Sequence, residues 1–188
     1  MNKAILLDRD GTINIDKNYV FKIGDLEFEK NAVEGLKKLS GVGYKLIIIS
    51  NQSGVARGYF TEEDLQKFND ELLRRLKDNG INIEAVYVCP HHPEGNGKYK
   101  LDCDCRKPKT GMIMKAKEDH NIDLQNSIMI GDHPKDVEVG KNVGCKTIFM
   151  LTGHGPEHKE EVAEIKPDFI ADDLLDAAGW IIENGNRD

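Results

Sequence analysis

The chain has no apolar run approaching the roughly 18 residues that a membrane-spanning helix needs. Its start, Met1-Asn2-Lys3 before Ala4–Leu7, turns acidic at once and carries no signal-peptide cleavage region. Residence in the cytoplasm is the resulting expectation. A basic excess is also missing: 26 Lys and Arg face 33 Asp and Glu, a net charge of −7. With no cluster of basic and aromatic residues, this disfavours nucleic acid or an anionic membrane surface as the main partner. A local basic pocket for a small anion stays open. Cysteine is sparse, and in the cytoplasm Cys89, Cys103, Cys105 and Cys145 read as thiols or metal ligands rather than as a disulfide framework. There is no internal repeat, no low-complexity linker and no clear exposed apolar stripe, so a monomer is expected.

What is present is an ordinary globular balance, 39% hydrophobic and 31% charged over 188 residues, enough for one domain spanning 1–188. Short runs rich in Ile, Val and Leu (Ala4–Leu7, Lys45–Ile49, Ala85–Val88, Ile128–Ile130, Thr147–Leu151 and Asp168–Ile170) read as strands buried on both faces. Ala32–Leu39, Glu62–Asp78, Met112–Asp119, Pro134–Asn142 and Asp173 to about Glu183 have helical spacing. Thr61 followed by Asp64 predicts an N-cap, Thr110-Gly111 a second helix start, and Asn79-Gly80 a helix end. Strand alternating with helix predicts an α/β fold with a parallel sheet covered on both faces. Trp180 is expected to pack rather than bind.

Two irregular segments interrupt the pattern, residues 13–30 and 89–109. Both begin at strand ends, where open parallel sheets bind ligands. Asp8-Arg9-Asp10-Gly11-Thr12 follows the first strand. Two carboxylates at this spacing can share a cation, and one can act as a nucleophile while the other handles the proton. A calcium loop is excluded, because its glycine belongs at the sixth position and Gly11 is at the fourth. The second strand ends in Ser50-Asn51, a hydroxyl and an amide suited to phosphate oxygens. Arg106-Lys107 can neutralise a phosphoryl group in transfer. Asp132 and Asp136 follow the Ile128–Ile130 strand and can complete a metal site.

A second constellation lies in the 89–107 loop. Cys89-Pro90-His91 and Cys103-Asp104-Cys105 offer three thiolates and an imidazole, a closed set suited to structural zinc. His91 is preferred to its neighbour His92 as the fourth ligand, and Cys145 is assigned to the core. Zinc would then pin the loop that carries Arg106 and Lys107. A zinc loop also suits a non-catalytic binding module, but such a module has no use for Asp8 and Asp10 at a strand end.

These residues together resemble the haloacid dehalogenase superfamily: Asp8–Thr12 its D-x-D-G-T motif, Ser50 the second, Lys107 the third, Asp132 and Asp136 the fourth. The resemblance implies a Rossmann-like sheet, Asp8 as nucleophile and Asp10 as general acid and base. It also implies Mg²⁺ held by Asp8, the Asp10 carbonyl and Asp132, with Asp136 in a supporting role and Ser50 and Lys107 on the phosphoryl group. Asn51–Gly58, Cys89–Pro93 and Cys103–Pro108 narrow the resemblance to the heptose 1,7-bisphosphate phosphatases and the related histidinol-phosphatases, which have a zinc loop and no separate cap domain. That implies substrate contacts from Asp16, Lys17, Asn18 and Tyr19 at the entrance, from Ser50, Asn51, Gln52 and Ser53, and from Arg106, with Arg57 either in the site or fixing a loop. The heptose enzymes commonly have Lys or Arg after the fourth-motif Asp, and this chain has His133. Imidazole can still bond a phosphate, with a charge that depends on pH, and Lys135 is the residue placed to compensate. The expected reaction is hydrolysis of the 7-phosphate of a heptose 1,7-bisphosphate, with histidinol phosphate the alternative substrate and another small sugar phosphate the third.

Overall fold

A computed structural model of the chain describes residues 1–184. Six strands, β1 (Ala4–Leu7), β2 (Lys45–Asn51), β3 (Ala85–Cys89), β4 (Ile128–Gly131), β5 (Lys146–Met150) and β6 (Phe169–Ala171), form one sheet. All neighbours are parallel, and the order is β3-β2-β1-β4-β5-β6. The order reverses between β1 and β4, the point at which an open α/β sheet leaves a crevice beyond its strand ends. Asp8 extends that pairing past β1 through its N–H to the Ile130 carbonyl, 2.9 Å. The crevice and the first acidic residue therefore coincide.

Seven helices cover the sheet: α1 (Ala32–Ser40), α2 (Ser53–Arg57), α3 (Glu62–Asp78), α4 (Gly111–His120), α5 (Pro134–Asn142), α6 (Gly155–Ile165) and α7 (Leu174–Asn184). Strand side chains alternate between two cores, as the period of two requires. Ile5, Leu7, Leu46, Ile48, Ile128 and Ile130 pack on one face with Leu36 of α1, Phe68 and Leu72 of α3 and Ile181 of α7. Leu6, Ile47, Ile49 and Met129 face the other way, against Met112, Ile113 and Ala116 of α4 and Val139 of α5. A smaller cluster joins Val137, Phe149 and Val162 of α6. Each fully buried aliphatic side chain contributes about 1.5–3 kcal/mol before conformational entropy is subtracted. Burial on both faces is why these strands read as unbroken apolar runs.

The expected α/β sheet is present, without a separate cap among the described residues. Thr61 caps α3 in a reciprocal arrangement, its Oγ1 accepting from Asp64 N–H at 3.1 Å and Asp64 accepting from Thr61 N–H at 3.0 Å. Thr110 precedes α4 but its side chain makes no capping bond, so Gly111 and not a cap marks that start. Trp180 stacks on Phe169 with ring centroids 5.4 Å apart, and Cys145 is buried in the core, both as expected. Two helices lie where none was expected. α2 spans a single turn and a half, too short for a period to show. α6 buries only Gly155 and Val162, too narrow a stripe to stand out. No helix among the described residues is long and apolar enough to cross a membrane.

Segment 13–30 is tied down rather than loose. Ile13, Val20 and Leu26 are buried in the main core, and Asn14 bridges antiparallel to Phe28. Its tip departs from ordinary geometry, with Asn18 at φ 62° and Tyr19 at φ 61°, a conformation that costs a bulky side chain about 1–2 kcal/mol. Such strain persists where surrounding contacts impose it, typically beside a functional site.

Candidate active site

A cavity of about 320 Å³ opens at the sheet's carboxyl edge. Asp8 and Asp10 beyond β1, Ser50 and Asn51 on β2, Gln52 and Ser53, Arg106 and Lys107, and Asp132 to Asp136 beyond β4 all line it. So do Asp16, Asn18, Tyr19 and His154. Lys17 is not in that lining: its ammonium pairs with Glu27 at 2.5 Å.

The centre is a charge cluster. Lys107 Nζ lies 2.9 Å from Asp8 Oδ1, 2.6 Å from Asp136 Oδ1 and 2.8 Å from the Ile49 carbonyl. Burial alone would lower the Lys107 pKa, but Asp136 and Asp8 more than offset it, so the ammonium stays charged. Asn51 fixes this lysine: its Oδ1 accepts the Lys107 N–H at 3.0 Å and its Nδ2 donates to the Lys107 carbonyl at 3.2 Å. The side chain expected to touch substrate thus clamps the irregular loop to the end of β2.

Asp8, Asp132 and Asp136 bring carboxylate oxygens within 4.8 Å of one another. Burial first, then the neighbouring acids, pushes Asp132 up to about 8. Asp8 rises to about 6, by burial that Lys107 only partly offsets. One lysine is too little positive charge for three carboxylates in a buried crevice. This donor set fits a hard divalent cation, which takes oxygen ligands and would replace the proton that Asp132 otherwise keeps. Gly11, at φ 77°, lies so near that a Cβ there would strike the Asp132 carboxylate, and a Cβ at Gly153 would do the same. His154 N–H donates to Asp132 Oδ2 at 2.8 Å, and Thr152 Oγ1 donates to the Gly11 carbonyl at 2.6 Å. Backbone from both sides therefore fixes where this carboxylate points.

Asp10 is held separately. Its oxygens accept from the Arg9 guanidinium at 2.8–3.0 Å, from Asn14 Nδ2 at 2.9 Å and from Gln52 Nε2 at 2.7 Å. Gln52 Nε2 also donates to Ser50 Oγ at 2.8 Å, linking the ends of β1 and β2. Arg9 itself is fully buried, donating to Asn69 Oδ1 at 2.8 Å and lying over the Phe68 ring at 4.6 Å. Nothing in the sequence pattern singled out Arg9, because its anchors lie about sixty residues away on α3.

His154 was likewise missed. Its Nε2 lies 3.3 Å from Asp16 Oδ2, so it joins the entrance segment to the loop after β5. Tyr19 meets Tyr59 edge to face, centroids 4.7 Å apart, at the same entrance. His133 lines the cavity, but its Nδ1 accepts the Lys135 N–H at 3.2 Å while Asp136 accepts the His133 N–H at 3.1 Å, capping α5. Burial and the nearby Lys135 push its pKa down to about 4. Both effects favour the neutral imidazole.

The second constellation also assembles. Cys89, His91, Cys103 and Cys105 bring their ligand atoms within 4.8 Å of one another. Cys89 and Cys105 sulfurs are 2.8 Å apart, Cys105 and Cys103 3.0 Å, and His91 Nδ1 is 3.3 Å from Cys105 Sγ. Burial would raise the Cys103 thiol, but bonds from Cys105 and Cys89 bring it down to about 7. Three thiols and an imidazole at one point fit a tetrahedral soft-metal site. His92 turns out of the cluster, its Nε2 3.4 Å from Arg57 and its Nδ1 accepting from Glu94 N–H. Arg57 accordingly braces this loop rather than lining the cavity.

Comparison with known proteins agrees with this architecture. Residues 104–177 match the family model of HAD-hydrolase-like proteins. The D-glycero-beta-D-manno-heptose-1,7-bisphosphate 7-phosphatase of Pasteurella multocida is 46% identical over 154 residues, 81% of this chain and 84% of that one. Its namesake in Haemophilus influenzae is 41% identical over 182 residues, 94% and 95% of the two chains. The solved D,D-heptose 1,7-bisphosphate phosphatase from B. bronchiseptica, complexed with magnesium and phosphate, superposes with a TM-score of 0.86 at 27% identity, over 96% of this chain and 98% of that one. Fold and crevice chemistry define a HAD-like hydrolase. Within that class the chain belongs to the D-glycero-D-manno-heptose-1,7-bisphosphate 7-phosphatase family.

Proposed function

We propose that this chain hydrolyses the 7-phosphate of D-glycero-D-manno-heptose 1,7-bisphosphate through an aspartyl-phosphate on Asp8. The observation that carries the reading is Asp8, backed by the buried Lys107, in a crevice whose remaining acids need a cation. An Asp8 carboxylate oxygen attacks phosphorus, and the bond from phosphorus to the C7 oxygen breaks. Asp10 gives a proton to that departing oxygen. It then takes one from water, whose oxygen attacks the same phosphorus, displacing Asp8 as a carboxylate and releasing inorganic phosphate. Arg9, Asn14 and Gln52 keep the Asp10 carboxylate in one place for both steps. Ser50 and Lys107 hold the phosphoryl oxygens, and the lysine charge offsets what develops on them.

Mg²⁺, held by Asp8, the Asp10 carbonyl and Asp132 with Asp136 behind, would neutralise the phosphoryl oxygens and screen Asp8 from an anionic substrate. Zn²⁺ at Cys89, His91, Cys103 and Cys105 would be structural, fixing the segment that leads into Arg106 and Lys107. The reading includes a single domain over 1–188, acting as a monomer in the cytoplasm.

Phosphate release with Mg²⁺ from both anomers of the bisphosphate, beside histidinol phosphate, tests it. Both anomers belong in the assay, because a relative from Photorhabdus laumondii, 41% identical, carries the alpha name. A kcat/KM for a heptose bisphosphate at least about 100-fold above that for histidinol phosphate is expected, and Asp8→Asn is expected to lose turnover by about 10⁴-fold or more. Full activity in that variant would end the mechanism, and a preference for histidinol phosphate would end the substrate assignment.

A further inference from the structure

Arg9 and Asp10 are consecutive in the chain, yet their side chains form a closed pair. Arg9 Nε donates to Asp10 Oδ1 at 3.0 Å, and Nη2 donates to Oδ1 at 2.9 Å and to Oδ2 at 2.8 Å. A long side chain with several free torsions must turn back on its own neighbour and stay there. That ordering costs conformational entropy, so the pair needs an outside anchor.

The anchor comes from two successive residues of α3. Asn69 Oδ1 accepts from Arg9 Nη1, the nitrogen that Asp10 does not use, at 2.8 Å, and the Phe68 ring lies 4.6 Å from the guanidinium carbon. The guanidinium is therefore gripped by Asp10 on one edge and by Asn69 on another. The other donors to Asp10 each reach a single oxygen, Asn14 at Oδ1 and Gln52 at Oδ2. Among the described residues the guanidinium alone spans both, and a fork of this kind sets the plane of a carboxylate.

Asn69 is out of character with its surroundings. It is 4% exposed, on a face of α3 otherwise made of Leu65, Phe68, Leu72 and Leu76. An amide in such a face is costly to desolvate unless it has a partner, and a leucine would simply extend the apolar stripe. The partner is Arg9. The same helix is tied to the entrance segment through Arg75, whose Nη1 donates to the Leu26 carbonyl at 2.8 Å. So α3 is fixed in register with the segment that follows Asp10.

We propose that Asn69, which does not line the cavity, is a positioning residue: it fixes the Arg9 guanidinium and, through it, the plane of the Asp10 carboxylate. This rests on the phosphatase reading above, in which Asp10 handles the proton, and adds a residue from outside the site. Because Asn69 meets no substrate, its contribution falls on kcat and leaves KM in place.

A double-mutant cycle separates this role from a merely structural one. Phosphate release with Mg²⁺ is measured well below Tm, on whichever of heptose 1,7-bisphosphate and histidinol phosphate the wild-type protein prefers. Asn69→Leu is expected to lower kcat by about 10- to 100-fold with KM unchanged. Asn69→Asp, which keeps an oxygen facing Arg9, is expected to recover most of it. In an Asp10→Asn background the Asn69→Leu change is expected to cost no more than about 2-fold, because the group it positions is already gone. Equal losses in both backgrounds, a loss carried by KM, or full activity in Asn69→Leu would each overturn the proposal and leave the phosphatase reading intact. Should Asn69→Leu melt below the assay temperature, the same cycle with Asn69→Ser decides between these outcomes. A wild-type protein that releases phosphate from neither substrate would remove the phosphatase reading and the proposal together.

Discussion

Arg9 illustrates what a single side chain does for this site. It is charged, wholly enclosed, and surrounded by Asp10, Asn69, the Val20 carbonyl and the Phe68 face. Removing one partner of such a set leaves the others desolvated and unpaired, which costs about 3–5 kcal/mol. Arg9→Met is therefore expected to lower Tm by roughly 10 °C and to release the Asp10 carboxylate, so that kcat falls further than the stability loss explains. Thermal melts beside rates measured well below Tm separate the two effects. Asp132 gives a second prediction. Its folded pKa, about 8, lies above the ordinary 3.8, so between those values the folded protein keeps a proton that the unfolded chain has released. The contribution of Asp132 to stability without metal is then fully present below pH 4 and is lost as pH rises toward 8. Asp8 acts in the same sense between 3.8 and about 6. The Tm gain from added MgCl₂ is expected to be larger at pH 8 than at pH 5, and Asp132→Asn to remove most of that difference. A gain independent of pH would mean that the acids are not what the cation relieves.

Among the elements, helices that packed a broad apolar face were readable and those that did not were not. α3 carries Leu65, Phe68, Leu72 and Leu76 in one stripe behind a reciprocal cap, and its limits follow from the residues alone. α6 shows no such stripe. Site residues divide in the same way. Asp8, Ser50 and Asp132 sit at strand ends, so finding the strands finds them. Arg9 and His154 act through partners distant in the chain, Asn69 and Asp16, and their neighbours in sequence carry no sign of it. Lys17 looked equivalent to Asp16, but it pairs with Glu27, ten residues on, and only Asp16 lines the cavity. At α1, Gly35 lets α7 approach: a Cβ there would strike the Leu174 carbonyl. Gly35→Ala is expected to cost about 1–3 kcal/mol as overpacking, visible in urea denaturation, although alanine favours a helix intrinsically. In the 89–107 loop, Cys105→Ser is expected to lower Tm by about 5 °C or more and to weaken phosphate binding, since Arg106 and Lys107 follow directly. Unchanged melting after verified loss of a bound metal would show that the cluster does not brace the loop.

For the molecule as a whole, acidic composition and a cationic cavity are not in conflict. Part of the net charge of −7 lies on helices such as α3, with six Asp and Glu against four Lys and Arg, while Arg106 and Lys135 line the cavity without a carboxylate partner among the described residues. Bulk charge argues against nucleic acid as a partner, and the cationic side chains in the cavity lining suit a small anion. The strand order has a further consequence for synthesis. β1 must wait for β4, and Asp8 for Asp132 and His154, across more than a hundred residues of chain. Nothing emerging early from a ribosome can assemble the crevice, because its first acid and its last backbone donor belong to opposite ends of translation. A truncation before residue 154 removes the backbone donor that orients Asp132 and is expected to leave the crevice unassembled.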